Sequence, residues 1–239
     1  RTKAVIQIQS KDQVVGYIKY ALNSKGNIFI ANEIKAYKKN KSIYLPKMLD
    51  FGSFKNRKFV FIENILCDRR LRAGIKNDSL LKVLATFETK NKFRLKDHPR
   101  IKILKSKLHQ LKIFKYDEIL NNIINTDNKK YKVVSEHGDF TNWNIIINKN
   151  KIFLIDHESF IKDGLEKLDY YHYIFTDQLY IKKVNTKKRI QNVMEILGPD
   201  SKSLFFIYLI SRISFRIENN FDVTKYESSL KYFINSYLK

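Results

Sequence analysis

The chain carries a single cysteine, Cys67, among its 239 residues. An internal disulfide is excluded on that count, and a lone thiol suits a reducing compartment. Long apolar runs are missing as well. Residues 204–210 form a short one before Arg212, well under the roughly 20 residues that cross a bilayer, and they read as a buried helix segment. No signal peptide, internal repeat or low-complexity tract is visible, and a cytoplasmic location is the expectation. Acidic residues are scarce: 24 Asp and Glu stand against 46 Lys and Arg, a formal net charge of +22.

That excess invites a nucleic-acid partner, but its distribution argues otherwise. The cations are mostly lysines spread along the chain, and no recognisable nucleic-acid motif accompanies them. Abundant Lys, Asn and Ile together point to an AT-biased genome, so a solvated basic surface is the simpler reading. Such a surface attracts nucleotides, phosphorylated glycans or acidic lipid headgroups over about 8 Å at physiological salt. Weak association with an anionic membrane surface follows from the same field. A polycationic acceptor is disfavoured by it. Arg69, Arg70 and Arg72 make the one tight cluster, either a solvent-exposed turn or a grip on an anionic acceptor. The 44% hydrophobic content suffices for a substantial core, in one domain of two lobes.

The most informative stretch is 137–158: His-Gly-Asp-Phe-Thr-Asn-Trp-Asn-Ile-Ile-Ile, then Phe-Leu-Ile-Asp-His-Glu. Strands are expected at 145–147 and 152–155, with a hairpin turn at 148–151. Asp139, Asn144 and Asp156 are thereby carried to one end of a hairpin. Asp, Asn and Gly also favour ordinary turns, so a bare Asp-x-x-x-x-Asn means little. Here three hard oxygen donors converge, which suits Mg²⁺ held by one or two carboxylates together with substrate phosphates. Phosphoryl transfer asks mainly for positioning and charge neutralisation. In that chemistry Asp139 orients a hydroxyl and accepts its proton, Asn144 offers the metal a neutral oxygen, and Asp156 an anionic one.

At these residues the chain resembles the aminoglycoside phosphotransferase and choline kinase family, a branch of the protein-kinase-like fold. The family signature, His-x-Asp-x-x-x-x-Asn followed by an apolar strand ending Ile-Asp-Trp/Phe-Glu, is met by His137, Asp139, Asn144 and Ile155-Asp156-His157-Glu158. His157 departs from the usual aromatic, a change expected to alter packing more than chemistry. The form His-Gly-Asp-Phe-Thr-x-Trp-Asn is similar to a subgroup found with bacterial surface-polysaccharide synthesis proteins.

The resemblance implies an α+β, two-lobed fold with Mg²⁺ and ATP or GTP as cofactor and co-substrate. Its lobes would be a small antiparallel β lobe over 1–65 and a mainly helical lobe over 66–239. The N-terminal third reads the same way. Residues 4–9 and 14–21 form a hairpin turning at 10–13, and its second strand, Gly16-Tyr17-Ile18-Lys19-Tyr20, is apolar but for one cation. Lys19 is either an edge lysine facing water or the phosphate-holding lysine of the fold, which pairs with a helical glutamate. Glu33, in a helix opened by Asn32-Glu33-Ile34, is that partner. Strands at 45–52 and 58–62 then lead to a hinge at 63–65, where the main chain at Glu63 and Ile65 would meet the adenine edge. The family's first strand and phosphate-covering loop would lie upstream of Arg1, which suggests an N-terminal truncation.

Apolar spacing predicts helices over 78–87, 101–113, 116–124, 186–197, 203–218 and 223–238, with Gly198-Pro199 as a stop between two of them. Residues 164–171 resemble the family's next helix entry, where Asp169 supports the catalytic loop. No Phe-Gly follows Asp156 and no Ala-Pro-Glu lies downstream, so the peptide-docking segment of protein kinases is absent. His137 is expected to brace the loop, while His98, His109 and His172 lack metal-ligand spacing. The reading favoured is a small-molecule kinase acting on a hydroxyl of a sugar or glycan precursor. The alternatives are a nucleotide-binding pseudoenzyme that scaffolds a biosynthetic complex, and an antibiotic phosphotransferase of the aminoglycoside type. A third, a basic nucleic-acid-binding protein, should bind with a steep salt slope.

Overall fold

The computed structural model describes residues 1–40, 42–66, 69–70, 77–149 and 151–238, and at 69, 70 and 77 the backbone alone. Cys67 and Arg72 lie outside the described residues. The chain forms two compact units, Arg1–Phe87 with Ser135–Lys162, and Glu88–Val134 with Asp163–Lys239. The boundary at 65/66 is an expectation of the resemblance; by compactness the 137–158 stretch falls in one unit with the N-terminal strands.

In the first unit, β1 (Lys3–Ser10) and β2 (Gln13–Ala21) form a hairpin. Lys11 and Asp12, both at positive φ, make the two-residue turn whose twist suits a hairpin. Helix α1 (Ser24–Lys39) follows, then β3 (Met48–Phe54) and β4 (Arg57–Glu63), joined by a second such turn at Lys55 and Asn56. The four strands lie in the order β1-β2-β4-β3. Ala21, Ile30, Ala36 and Val60, all fully buried, close the core between sheet and helix.

Helix α1 begins eight residues before the expected Asn32. Asn23 caps it, accepting a hydrogen bond from the Gly26 N–H at 2.9 Å, the preferred role of Asn at this position. A Cβ on Gly26 would stand 2.1 Å from the Thr2 carbonyl oxygen, so only glycine lets the first turn seat against the start of β1. The expected strand at 45–52 starts later, at Met48.

Helix Asn77–Ala85 and strands Ile145–Asn148 and Lys151–Leu154 complete this unit, and the two-residue strand Arg69–Arg70 pairs with Ile147 and Ile146.

The second unit is mainly helical: Pro99–Gln110, Asp117–Thr126, Leu168–Thr176, Thr186–Leu197, Lys202–Glu218 and Thr224–Tyr237. The expected run 204–210 is buried throughout, no residue in it more than 1% exposed. Strand Glu88–Arg94, antiparallel to Lys130–Glu136, was not expected, because its lysine-rich sequence shows no apolar alternation. Ile161–Leu165 extends that sheet. No helix of the described residues is long and apolar enough to cross a membrane.

Candidate active site

Strand alternation decides what Lys19 faces. It pairs with Val5 on one side and Val60 on the other, and its ammonium turns towards α1 and the segment after Lys151–Leu154. There it donates to Glu33 Oε1 at 2.7 Å and to Asp156 Oδ1 at 2.8 Å. Glu33 is fully buried, a position a carboxylate tolerates only when paired and hydrogen-bonded. Burial pulls the Lys19 pKa down, but Glu33 and Asp156 outweigh it and raise the pKa above its ordinary value. Lys19 is therefore an inward, ion-paired lysine and not an edge lysine in water.

Asp156 sits in the left-handed region at φ 67° and ψ 58°, which a non-glycine residue occupies at a cost of about 1–3 kcal/mol. Its carboxylate answers two cations, Lys19 and Lys3, the latter at 3.0 Å. Burial alone would raise the Asp156 carboxyl, yet the two ammonium groups hold it well below the usual carboxylate range. Lys3 also reaches Glu158 Oε2 at 2.9 Å. The Glu158 carboxyl is pushed up, first by burial and then by neighbouring Asp156. The backbone here is anchored to α1 by Asn32, whose amide donates to the Glu158 carbonyl at 3.2 Å.

The 137–144 loop is wired by its own polar groups. His137 Nε2 lies 2.9 Å from the Ile155 carbonyl, and the Asp139 N–H lies 3.3 Å from Nδ1. A carbonyl only accepts and an amide N–H only donates, so the ring is neutral with its proton on Nε2. Burial likewise lowers its pKa. Gly138 has φ +78°, and a Cβ there would meet the Ser159 carbonyl oxygen at 2.0 Å, so conformation and space both demand glycine. Asn144 Nδ2 donates to the Asp139 carbonyl and to its carboxylate Oδ2, both at 2.9 Å. Both partners accept, which fixes the amide orientation and leaves Oδ1 as the oxygen Asn144 offers elsewhere. The Ile155 N–H donates to the Asn144 carbonyl at 3.0 Å, so the two ends of the hairpin carrying Asn144 and Asp156 are stitched together. His157 takes the place of an aromatic, its ring 4.3 Å from His137 and edge-on to Tyr37 at 5.6 Å. Trp143, half exposed, lies within the loop.

The donors present are carboxylate and amide oxygens, the hard set Mg²⁺ prefers. Among the described residues no three His, Cys, Asp or Glu side chains converge to hold a metal by themselves. Glu63 stands apart from this group. It pairs with Gly16, so alternation turns its side chain to the face opposite Lys19. Its carboxylate accepts from the Lys47 N–H at 2.6 Å, beside a cavity of about 650 Å³ lined also by Tyr44, Leu45, Val83 and Phe153. Ile65 lies in the irregular stretch after β4.

Lys3 was not anticipated, and Glu158 was quoted in the motif without a role. The sequence signal for Lys3 is its spacing from Lys19 across a hairpin, readable only once the register is known.

No protein-family model matches the sequence, and no curated protein matches it. Solved structures do. The ternary complex of a thermostable mutant of aminoglycoside phosphotransferase APH(4)-Ia with ADP and hygromycin B superposes with a TM-score of 0.54 at 11% identity, over 98% of this chain and 94% of that one. The fold is that of the aminoglycoside phosphotransferases. A protein provisionally assigned as a fructosamine-3-kinase from Haemophilus somnus 129PT shares this phosphotransferase fold, with a TM-score of 0.56 at 17% identity over 99% and 88% of the two chains. A third relative of the fold, another APH(4)-Ia mutant, was solved with AMP-PNP and hygromycin B and has a TM-score of 0.53 at 11% identity, over 97% of this chain and 93% of that one.

Proposed function

We propose that the chain is a Mg²⁺-dependent small-molecule kinase that moves the γ-phosphate of ATP or GTP to a hydroxyl of a sugar or glycan precursor. The observation that carries this reading is the Lys19 ammonium, bound at once by buried Glu33 and by Asp156. That is the lysine, glutamate and metal-carboxylate set that kinase-like phosphoryl transfer requires, and it is assembled on a phosphotransferase fold whose solved relatives hold ADP or AMP-PNP.

Each residue has a distinct task in this reading. Lys19 holds the nucleotide phosphates and is itself aimed by Glu33. The main chain at Glu63 and Ile65 meets the adenine edge. Asp156 and Asn144 Oδ1 would hold the Mg²⁺, which neutralises charge on the transferring phosphoryl group when bound. Asp139 orients the acceptor hydroxyl and takes its proton, and the Asn144 amide fixes that carboxylate in place. A net charge of +22 favours a neutral or anionic acceptor over a polycationic antibiotic. Placement among kinases of surface-polysaccharide synthesis rests on the His-Gly-Asp-Phe-Thr-x-Trp-Asn wording of the loop.

Calorimetric titration of AMP-PNP with and without Mg²⁺, on the chain and on Asp156→Asn, tests the site. Binding that needs Mg²⁺ and is lost in the variant is expected; binding indifferent to both the metal and Asp156 overturns the reading. Against hydroxyl acceptors, Asp139→Asn lowers turnover about 10²- to 10⁴-fold, and unchanged turnover removes the role given to Asp139.

A further inference from the structure

Two cations, not one, meet the carboxylate of Asp156. Lys19 belongs to the kinase-like set just described, whereas Lys3 lies outside every motif of the sequence. In the β1–β2 hairpin Lys3 pairs with Ala21 and Val5 with Lys19. Lys3 and Lys19 are thus diagonal neighbours on one face, within reach of each other's partners through long side chains. Their ammonium groups share one oxygen, Asp156 Oδ1, at 3.0 and 2.8 Å, and Lys3 spans onward to Glu158 at 2.9 Å.

The backbone holding Lys3 is pinned. The Thr2 carbonyl accepts from the Leu22 N–H at 2.9 Å and abuts Gly26, while the Asn23 amide donates to the Arg1 carbonyl. The two lysines differ in how their heads are held. Lys19 is anchored by Glu33, which is fully buried. Among the described residues Lys3 is held by Asp156 and Glu158, both on the short segment that follows strand Lys151–Leu154 and both partly open to solvent. Of the two, Lys3 is the one that can leave.

We infer that Lys3 is a resident counter-cation of the Asp156–Glu158 pair, one that a divalent metal displaces in order to bind Asp156 through Oδ1. The inference rests on the kinase reading of this site. Without nucleotide, a metal approaching Asp156 meets an oxygen already shared by two ammonium groups and is repelled by both. Bound nucleotide phosphates would offer Lys3 other anionic partners. The carboxylates of Asp156 and Glu158 would then be free to hold a metal carried on those phosphates. Metal and nucleotide thus enter together, and Lys3 is a positioning residue whose removal uncouples them.

The test is Mn²⁺ binding by the full chain, read from the electron paramagnetic resonance signal of the free ion, with and without AMP-PNP. The chain, Lys3→Met, Lys3→Arg and Asp156→Asn are compared. The chain is expected to bind Mn²⁺ weakly alone and about tenfold or more tightly with AMP-PNP. Lys3→Met is expected to bind Mn²⁺ alone about tenfold more tightly than the chain does, with the enhancement by AMP-PNP shrinking in proportion. Lys3→Arg, which keeps the charge, should behave as the chain. If Asp156→Asn abolishes the nucleotide-dependent site while Lys3→Met leaves the affinity for Mn²⁺ alone unchanged or weaker, the inference falls and the kinase reading stands. If Lys3→Met gains Mn²⁺ affinity through Asp156 but no chain binds AMP-PNP, counter-cation competition stands and the kinase reading falls. Mn²⁺ binding indifferent to Asp156 overturns both.

Discussion

At the heart of the first unit, two lysines and three carboxylates share their hydrogen bonds: Lys3 and Lys19 with Glu33, Asp156 and Glu158. The second unit closes instead around rings. Phe175, Phe205, Tyr208, Tyr226 and Phe233 are each no more than 1% exposed, with centroids as near as 5.0 Å between Phe175 and Tyr226 and 5.1 Å between Phe205 and Phe233. Buried aromatic area is favourable in any order that packs. A buried ion cluster is favourable only when complete, since removing one member leaves its partner desolvated and uncompensated. The first unit is therefore specified by the identity of single atoms, the second by the filling of volume, and substitutions should expose the contrast.

The largest effect is expected at Lys19. In Lys19→Met the side chain keeps its length and loses its charge, so fully buried Glu33 loses its cationic partner. A loss of about 3–5 kcal/mol follows, together with loss of nucleotide binding; denaturant unfolding and AMP-PNP titration check the two. Phe205→Ala should cost a comparable or somewhat smaller amount, about 3–4 kcal/mol, through the cavity it leaves. Its nature differs, however, because the proposed nucleotide site should keep its affinity for AMP-PNP in the variant. A Phe205→Ala protein that folds but no longer binds nucleotide would break the comparison.

The smallest effect is set by pH. His137 and His157 are buried, and burial lowers both pKa values; for His157 the neighbouring His137 lowers it further. The unfolded chain takes up these protons near pH 6.5 while the folded chain does not. Their contribution is complete above that pH and is lost as pH falls below it, with a slope of at most about 1.4 kcal/mol per pH unit for each ring. Asp156 acts lower, its depressed carboxyl keeping its stabilisation until pH drops through the acid range. Glu158, with its raised carboxyl, works with the opposite sign. The difference between the chain and His157→Phe, followed by thermal unfolding from pH 7.5 to 5.5, isolates the histidine term. The variant should show the shallower slope.

Much of the site was legible because chemistry constrains its spelling. His137, Asp139, Asn144 and Asp156 stand at spacings fixed by one loop and one hairpin, and Lys19 with Glu33 by one strand and one helix. Boundaries were less legible where a cap decided them, as at Asn23, which starts α1 well ahead of the residues whose chemistry drew notice. Lys3 was hidden for a different reason. Counting back from the Lys11–Asp12 turn, Ser10 faces Gln13 and Gln9 faces Val14, and that register continued would set Lys3 opposite Tyr20. The pairing shifts by one between Ile8 and Gln9, and a one-residue slip sends every later side chain to the other face. The bulge leaves Val15 as the extra residue, and its carbonyl accepts from the Asn64 N–H at 2.9 Å. No local feature of the sequence announces that bond. Strand Glu88–Arg94 was hidden too, since its pairing with Lys130–Glu136 owes nothing to an apolar face of its own.

Trp143 gives the molecule an optical property. It is the only tryptophan in the chain, it is half exposed, and it directly precedes Asn144, whose amide grips Asp139. Indole emission responds to local polarity and ring environment, and every photon of it here originates in the 137–144 loop. The unlabelled protein is thus its own fluorophore-tagged sensor, reporting rearrangement of that loop in real time without a background from any second indole.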